Sequence, residues 1–372
     1  MLLLDGNNAT VDSSRKVVVI SPSKPIQEEL AELLRSHGVE YVEVIDKSFE
    51  SEDISLDAEE TVGVVIDIED DTNVPEIIER VSAIVPQKIW CCLVGESDSI
   101  SLAQRLAEAN ILYFNRKSQL NLMVTRITAS KMTVPTIRNT VKVCVLGCKG
   151  GIGATFVSAQ IANKIAKDKK VPVLLVQGSH GSQDLDLLFD KKLQGDIVEF
   201  EKNLDIFMGD FEHLPEDELE KYNFIIYDQP IFNVTKDEYI NYFNVASSFV
   251  LVAERHPDSL RVAKRFMEQC ERQRSNNNQL IRTFVCIEDS RLEHSRLMSK
   301  ADIESLLTCK VDAIIPFLKN TNAKTVLDVR MTKSIQKIIK QLAMLIIGAL
   351  SREEGKKEQS SLFKTIWQKL IS

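Results

Sequence analysis

The sequence has no hydrophobic run long enough to cross a membrane. Its longest apolar stretch, Leu342 to Leu350, is far shorter than the roughly 20 residues that a spanning helix needs. The first ten residues, MLLLDGNNAT, carry no basic residue and only three leucines before Asp5, which does not match a secretory signal. We therefore expect a cytoplasmic protein without a membrane-spanning segment.

Disulfide, metal-ligand and strongly basic patterns are also missing. The seven cysteines are odd in number, have no zinc-like spacing and fall mostly in apolar runs such as Trp90–Leu93, which favours a reducing compartment. The net charge of −8 argues against general attraction to nucleic acid. Basic residues between positions 255 and 296 have acidic neighbours, so we interpret them as a solvated helix face and expect no specific nucleic-acid partner.

The pattern of apolar segments predicts two α/β domains. A chain of 372 residues with 44% hydrophobic and 27% charged residues is ordinary for a globular protein but exceeds what one core usually organises. Short β-branched runs alternate with segments of helical period, as in βαβ units. We predict two doubly wound domains: a receiver-like domain of flavodoxin-like strand order over residues 16–130, and a P-loop-type domain over 141–350. Residues 131–140, which break both periods, form the linker.

A glycine-rich run in the second domain is the first candidate for chemistry. The sequence KGGIGAT, residues 149–155, follows the strand VKVCVLG and precedes an amphipathic helix, so its N–H groups would face an anion at a helix N-terminus. Thr155 offers a hydroxyl for Mg²⁺, and Asp228, which ends the strand NFIIYD, offers a carboxylate. Such loops usually keep a lysine where this chain has Ala154. A glycine-rich turn without any ligand is the alternative interpretation.

This run resembles the deviant Walker A loop, KGGxGKT, of the MinD/ParA ATPases. The resemblance implies weak binding of ATP with Mg²⁺ by a site whose residues are Lys149, Gly150, Gly151, Ile152, Gly153, Ala154 and Thr155. It implies that Lys149 is the signature lysine, which reaches the phosphates of a partner subunit in a nucleotide-sandwich dimer. It further implies that Thr155 and Asp228 belong to the magnesium site, whereas Ala154 replaces the lysine that holds the β- and γ-phosphates.

A second departure from that pattern concerns hydrolysis. Relatives carry an Asp-x-Asp pair at the end of the second strand, where VPVLLVQGSHGSQDLDLLF has Gln177 and Ser179. A neutral amide and a hydroxyl cannot activate water as carboxylates do. Each catalytic element is commonly worth roughly a hundredfold in rate, so the loss of two predicts negligible turnover and no confident catalytic residue. The base-contacting asparagine is missing as well, since the corresponding strand reads FVCIED.

The two domains together, over residues 16 to 350, resemble the TadZ/CpaE family of Tad (Flp) pilus assembly proteins. The segments GSQDLDLLF, SLRVAKRFMEQC and VDAIIPFLKN carry this resemblance. It implies a dimeric assembly and localisation factor that positions a pilus secretion machine, often at a cell pole, with a second copy of itself and the Tad apparatus as partners. An active ATPase switch that cycles between dimer and monomer is the alternative function.

The first domain also invites interpretation as a phosphorylated receiver. Asp67 ends the strand VGVVID at the phosphoacceptor position, and Arg116 or Lys117 matches the receiver lysine. However, VVVISPSK supplies no acidic residue after the first strand to bind Mg²⁺, and Gly95 replaces the switch hydroxyl. We therefore predict that Asp67 is a helix-capping or loop carboxylate and that this domain is a docking surface. A phospho-dependent regulator remains the third hypothesis.

The tail, residues 351–372, reads as a charged tether followed by the amphipathic helix SLFKTIWQKLIS over 361–372. At 100° per residue the apolar side chains cover one half of that helix and the polar ones the other. Such a helix carries two lysines and suits either the interface of a bilayer, peripheral to the inner membrane, or packing against protein. The sequence does not decide between these two interpretations.

Overall fold

The computed structural model describes residues 15–128, 135–178, 180–193, 195–209, 214–277, 280–289, 297–318 and 323–350. The chain divides into two compact units, Met1–Asn139 and Thr140–Ser372. Each unit is built on a largely parallel sheet with helices on both faces. The predicted fold class, two doubly wound α/β domains, is thus confirmed. None of the helices in the described ranges combines the length and apolar character needed to cross a bilayer.

The first unit alternates strands and helices along the chain. Its elements are β1 (Lys16–Ser21), α1 (Lys24–Ser36), β2 (Val42–Asp46), β3 (Thr61–Asp67), α2 (Val74–Ile84), β4 (Trp90–Gly95), α3 (Ile100–Glu108), β5 (Leu112–Asn115) and α4 (Leu120–Thr128). The strands are all parallel in the order β2-β1-β3-β4-β5. This is the flavodoxin-like order that the alternation of apolar runs predicted.

Strand alternation divides the core of this unit into two layers. Val18 and Ile20 of β1 pack in a cluster with residues of α2 and α3. Val17 and Val19, which point to the opposite face, pack in a cluster with residues of α1 and α4. Because both faces are covered, the central strands are apolar throughout instead of alternating with polar residues.

The end of the predicted linker is anchored in the first unit by Arg138. Its side chain is 3% exposed, and its guanidinium donates hydrogen bonds to the carbonyl oxygens of Ile89 at 2.8 Å, Val85 at 2.9 Å and Pro86 at 2.7 Å. The side-chain amide of Gln87 donates to the Arg138 carbonyl oxygen and accepts from the Arg138 N–H, each at 2.9 Å. This part of the segment is therefore fixed by buried hydrogen bonds.

The second unit is larger. Its elements are β6 (Val141–Gly147), α5 (Ala154–Lys169), β7 (Val173–Gln177), α6 (Leu185–Phe189), β8 (Val198–Glu201), β9 (Leu204–Met208), α7 (Glu216–Leu219), β10 (Phe224–Pro230), α8 (Tyr239–Val245), β11 (Ser248–Ala253), α9 (Pro257–Asn277), β12 (Arg282–Glu288), α10 (Lys300–Leu307), β13 (Ala313–Ile315), a short 3-10 helix (Val326–Asp328) and α11 (Lys333–Ile346).

These strands form an eight-stranded sheet in the order β13-β12-β11-β6-β10-β7-β9-β8. Pairing is parallel except at the edge, where β8 runs antiparallel to β9. Sequence periodicity did not predict β8 and β9, because the runs VEFE and LDIFM are short and interrupted by acidic residues. Parallel pairing brings the carboxyl ends of β12, β11, β6, β10 and β7 to one edge of the sheet, where ligands of open α/β sheets bind.

Candidate functional site

The glycine-rich loop joins β6 to α5 at this carboxyl edge. Gly151 and Gly153 have φ values of +72° and +82°, in the left-handed region that favours glycine over residues with a Cβ. Gly153 is also the N-cap residue of α5. Gly150 faces the Phe232 ring, since a Cβ built on it would lie 3.4 Å from the ring, and Ile152 is 8% exposed. The loop therefore has the turn-then-helix geometry that its sequence predicts.

Ala154 is the first residue of α5 and packs closely against the end of β6. A Cβ built on Gly147 would lie 3.1 Å from the Ala154 Cβ. A lysine at position 154 would place its own Cβ at the same point as the alanine, so the backbone by itself does not forbid one.

Thr155 and Asp228, the two residues expected around Mg²⁺, are in direct contact. The Thr155 hydroxyl donates to Asp228 Oδ2 at 2.7 Å, and the carboxyl group is buried near the carboxyl end of β10, which continues to Pro230. Burial raises the pKa of Asp228, while hydrogen bonds from Thr155 and Gln177 lower it. A hydroxyl and a carboxylate are oxygen donors of the kind that Mg²⁺ accepts. Within the described ranges, no group of three or more His, Cys, Asp or Glu side chains is arranged to hold a metal.

Gln177, at the end of β7, links several segments at the carboxyl edge of the sheet through its side chain. It is fully buried, and its Nε2 donates to Asp228 Oδ2, Ser182 Oγ and Asp184 Oδ1, each at 3.2 Å. Its Oε1 accepts the backbone N–H groups of Asp184 and Leu185 at 3.1 Å. The amide thus orders the entrance to α6 through its oxygen and donates through its nitrogen to Asp228, and a carboxylate could accept the first bonds but could not donate the second. Ser179, the second substituted position, lies outside the described residues.

Lys149 is engaged within its own subunit. Its Nζ forms an ion pair with Oε1 of Glu254, the residue that follows β11. The Glu254 side chain is 4% exposed, whereas that of Lys149 is 43% exposed. The lysine therefore extends from the surface to a buried carboxylate.

A second acid, Glu288, lies at the loop itself. A Cβ built on Gly153 would come within 2.6 Å of Glu288 Cδ and Oε1, so the carboxyl group fills the space beside this glycine. Glu288 Oε2 is buried and has no hydrogen-bond partner, and burial raises the pKa of the group to about 8. Sequence reasoning did not identify Glu254 or Glu288. An acid directly after a fully apolar parallel strand, as in FVLVAE and FVCIE, was the signal that could have revealed them.

A pocket of about 550 Å³ opens beside the loop. Its walls are largely apolar and include Ile152, Phe156, Leu187, Leu188, Phe317 and Val326. The charged residues of its lining are Glu254, Glu288, Asp289 and Lys324, so among the described residues three acids face one base. The loop backbone suits a phosphate, but Lys324 is the one cation of this described lining, so these side chains would neutralise little of the charge of a triphosphate.

Asp67, the candidate of the first unit, is closed off from solvent. It is 0% exposed and accepts hydrogen bonds from Ser21 Oγ at 2.8 Å and from the Glu69 N–H at 3.0 Å. The bond from two residues ahead is an Asx-type turn, as the loop-carboxylate interpretation predicted. Of the two candidate basic residues, Arg116 is the one that approaches it, with Nη1 3.5 Å from Asp67 Oδ2, and Arg116 also pairs with Glu96.

Comparisons with known proteins add only distant likenesses. No protein-family model matches the chain, and no curated protein matches it. Among solved structures, the chain is similar to MinD in the MinC:MinD cell division complex of Aquifex aeolicus (21% identity, 56% of this chain and 96% of that one, TM-score 0.45). It is also similar to a ParA family ATPase of Chlorobium tepidum (16%, 55% and 98%, TM-score 0.40). A third is a putative plasmid partition protein of Borrelia burgdorferi bound to AMPPNP (13%, 57% and 100%, TM-score 0.40).

Proposed function

We propose that this chain is an assembly and localisation factor that positions a Tad/Flp-type pilus secretion machine. In this proposal it acts as a homodimeric scaffold whose degenerate nucleotide site binds ATP weakly and hydrolyses little or none of it. The pilus assignment rests on the resemblance carried by the order of the two domains and by the segments quoted above. The loss of hydrolysis rests on Gln177, which stands at the end of β7 where an ATPase of this type would carry a carboxylate.

The single observation that carries the non-catalytic assignment is the role of Gln177. A residue that activates water must keep a basic oxygen free for the water proton. Both polar atoms of the Gln177 side chain are instead engaged with protein groups, its Nε2 with Asp228 among others and its Oε1 with the backbone of α6. An amide is in any case too weak a base for the task. The position therefore supports a structural element at the place where an ATPase needs a catalytic one.

Phosphate release by the purified full-length chain with Mg-ATP tests this assignment. We expect no release above that of an Asp228→Ala control. Ala154→Lys should raise nucleotide affinity about tenfold or more, since a charge-assisted hydrogen bond contributes about 1.5–3 kcal/mol, yet it should leave release at background because Gln177 remains. Release by the unmodified chain that disappears in Asp228→Ala would contradict a scaffold.

The biological role is tested in the cells that make the protein. Deletion of the gene should abolish pili, and a fluorescent fusion should form foci at the cell pole whose position does not change in an Ala154→Lys variant. Analytical ultracentrifugation of the purified chain should show a dimer both with and without nucleotide. Normal piliation in the deletion strain would exclude the pilus assignment.

An ATPase switch is the second candidate, and one observation favours it. The contact between Thr155 and Asp228, 2.7 Å from hydroxyl to carboxylate, keeps together the two oxygen donors that a nucleotide-bound Mg²⁺ would use. A switch predicts that dimerisation requires Mg-ATP and that Thr155→Ala abolishes it. A dimer that is independent of nucleotide predicts no effect of the same variant.

The burial of Asp67 argues against the third hypothesis, a phospho-dependent regulator. A phosphoryl donor would have to displace Ser21 and reach a carboxylate that is 0% exposed. We expect Asp67→Asn to leave piliation unchanged, provided that thermal unfolding shows the variant to be folded.

A further inference from the structure

The side chain of Glu288 stands where the glycine loop would otherwise be open. Gly153 has a φ of +82° and no side chain, which in phosphate-binding loops leaves room for a phosphoryl group to approach the backbone. Here that room is taken, because a Cβ built on Gly153 would be 2.6 Å from Glu288 Cδ and Oε1. Glu288 reaches this point from the end of β12, two strands away from β6 in the sheet.

Among the residues that the structure describes, no cation is paired with this carboxyl group. The charged residues around it already have partners of their own. Glu254 pairs with Lys149, Asp289 with Arg255 at 2.5 Å, and Lys324 with Asp190 at 3.0 Å.

Glu288 Oε2 is buried without a hydrogen-bond partner, an arrangement that costs free energy and that persists only if the remaining fold imposes it. A buried carboxyl group without a cation is held more easily in its neutral form.

We propose that Glu288 closes the glycine loop to phosphoryl groups, so that a nucleoside di- or triphosphate binds only when this side chain leaves the space beside Gly153. The inference rests on the proposed function in one respect, which is that the loop is of phosphate-binding type. It goes further by assigning the weakness of the site to a residue outside the loop. The missing lysine at position 154 removes an attraction, whereas Glu288 adds steric exclusion.

The charge of Glu288 gives the closure a pH dependence. Burial raises its pKa to about 8, so the group is mainly neutral at pH 7 and mainly ionised at pH 9. The ionised carboxylate is the form that burial destabilises, so ionisation favours movement of the side chain out of this space and into water. The dissociation constant of the wild-type chain should therefore decrease about tenfold between pH 7 and pH 9. Glu288→Gln has no group to ionise and should lack this change.

The test is calorimetric titration of the full-length chain with Mg-ATP and, separately, with Mg-ADP. Glu288→Ala removes the occupying group and should bind about tenfold or more tightly than wild type at pH 7. Glu268→Gln, on the exposed face of α9, is the matched control and should behave as wild type at both pH values. Thermal unfolding of each variant verifies that it is folded, and Glu288→Ser serves if the alanine variant is not.

Two results would overturn the proposal. One is a folded Glu288→Ala or Glu288→Ser variant that binds nucleotide no more tightly than wild type. The other is a pH dependence in Glu288→Gln equal to that of Glu268→Gln and of wild type. Neither result bears on the scaffold, which is contradicted by phosphate release from the wild-type chain, so the failure of one proposal is distinguishable from the failure of the other.

Discussion

The ion pair between Lys149 and Glu254 yields a prediction that decides how Lys149 is used. Lys149→Met removes the partner of a carboxylate whose side chain is 4% exposed. Removing one member of a fully buried pair costs about 3–5 kcal/mol because the other charge stays buried. Lys149 itself is 43% exposed, so water can approach and screen the carboxylate, and we expect a loss of about 1–2 kcal/mol in the free energy of unfolding.

A double-mutant cycle separates this pair from its surroundings. Glu254→Gln removes the charge that requires a partner, so the double variant should be more stable than the sum of the two single changes predicts, with a coupling of about 1 kcal/mol. Urea unfolding followed by far-UV circular dichroism measures each stability, and the second unit is the part of the chain affected. Lys164→Met is the matched control, because Lys164 pairs with Asp168 at 3.1 Å on the surface of the same unit and should cost less than about 0.5 kcal/mol.

The refuting result is specific. If Lys149→Met costs no more than Lys164→Met, or if the coupling with Glu254 is zero, Lys149 is not held within its own subunit. The lysine would then be free to reach a second copy of the chain in the proposed dimer. A measured coupling near the expected value instead means that such a reach must first break the pair with Glu254.

Three further predictions follow from single contacts. Gly63→Ala should lower the stability of the first unit by about 1–3 kcal/mol, because the Cβ of the new alanine would overlap the Trp90 indole. In a Trp90→Ala background the same change should be neutral or stabilising. Thermal unfolding measures both effects. Glu288 binds a proton more tightly in the folded chain, where its pKa is about 8, than in the unfolded chain, where the ordinary value is 4.5. Its contribution to the free energy of unfolding should therefore fall as pH rises through this interval, by at most about 1.4 kcal/mol per pH unit. Glu288→Gln should remove that slope when unfolding is measured by urea titration at several pH values. Gln177→Asp should not produce phosphate release and should destabilise the chain, because it places a carboxylate beside that of Asp228 and removes the donor to it; a stable variant that hydrolyses ATP would contradict this.

The sheet architecture could be predicted from the sequence because each central strand is a continuous apolar run. Burial of both faces makes KVVVIS and FVCI readable as parallel strands without any knowledge of their neighbours. Order within the sheet could be expected only for the first unit, where five strands alternate regularly with helices. In the second unit the edge strands VEFE and LDIFM are held by pairing with β7 and with each other, and no local pattern encodes such pairing.

The residues of the candidate site also differ in how far the local sequence predicts them. The glycine loop, Thr155 and Asp228 could be identified because their spacing to the strands is local, and the structure brings Thr155 and Asp228 into contact. The position of Glu254 and Glu288 at the end of apolar strands could have placed them at the carboxyl edge of the sheet, but their contacts with loop residues depend on the order of strands, which the sequence did not predict for this unit. The amide of Gln177 reads from the sequence as a lost catalytic group, and only its contacts with Asp184 and Leu185 reveal what it does instead.

The glycines of the loop have a structural explanation that requires no ligand. Gly153 favours glycine because its φ is +82°, and a Cβ there would also have to displace the Glu288 carboxyl group. Gly151 has a φ of +72°, and Gly147 leaves room for Ala154. A phosphate-binding backbone can thus persist for the sake of the turn into α5 alone. Charge is the property that separates a working nucleotide site from a retained turn. Around this loop the described cations Lys149 and Lys324 are each paired with a carboxylate of the chain, and the half-buried Glu288 lies against the glycine.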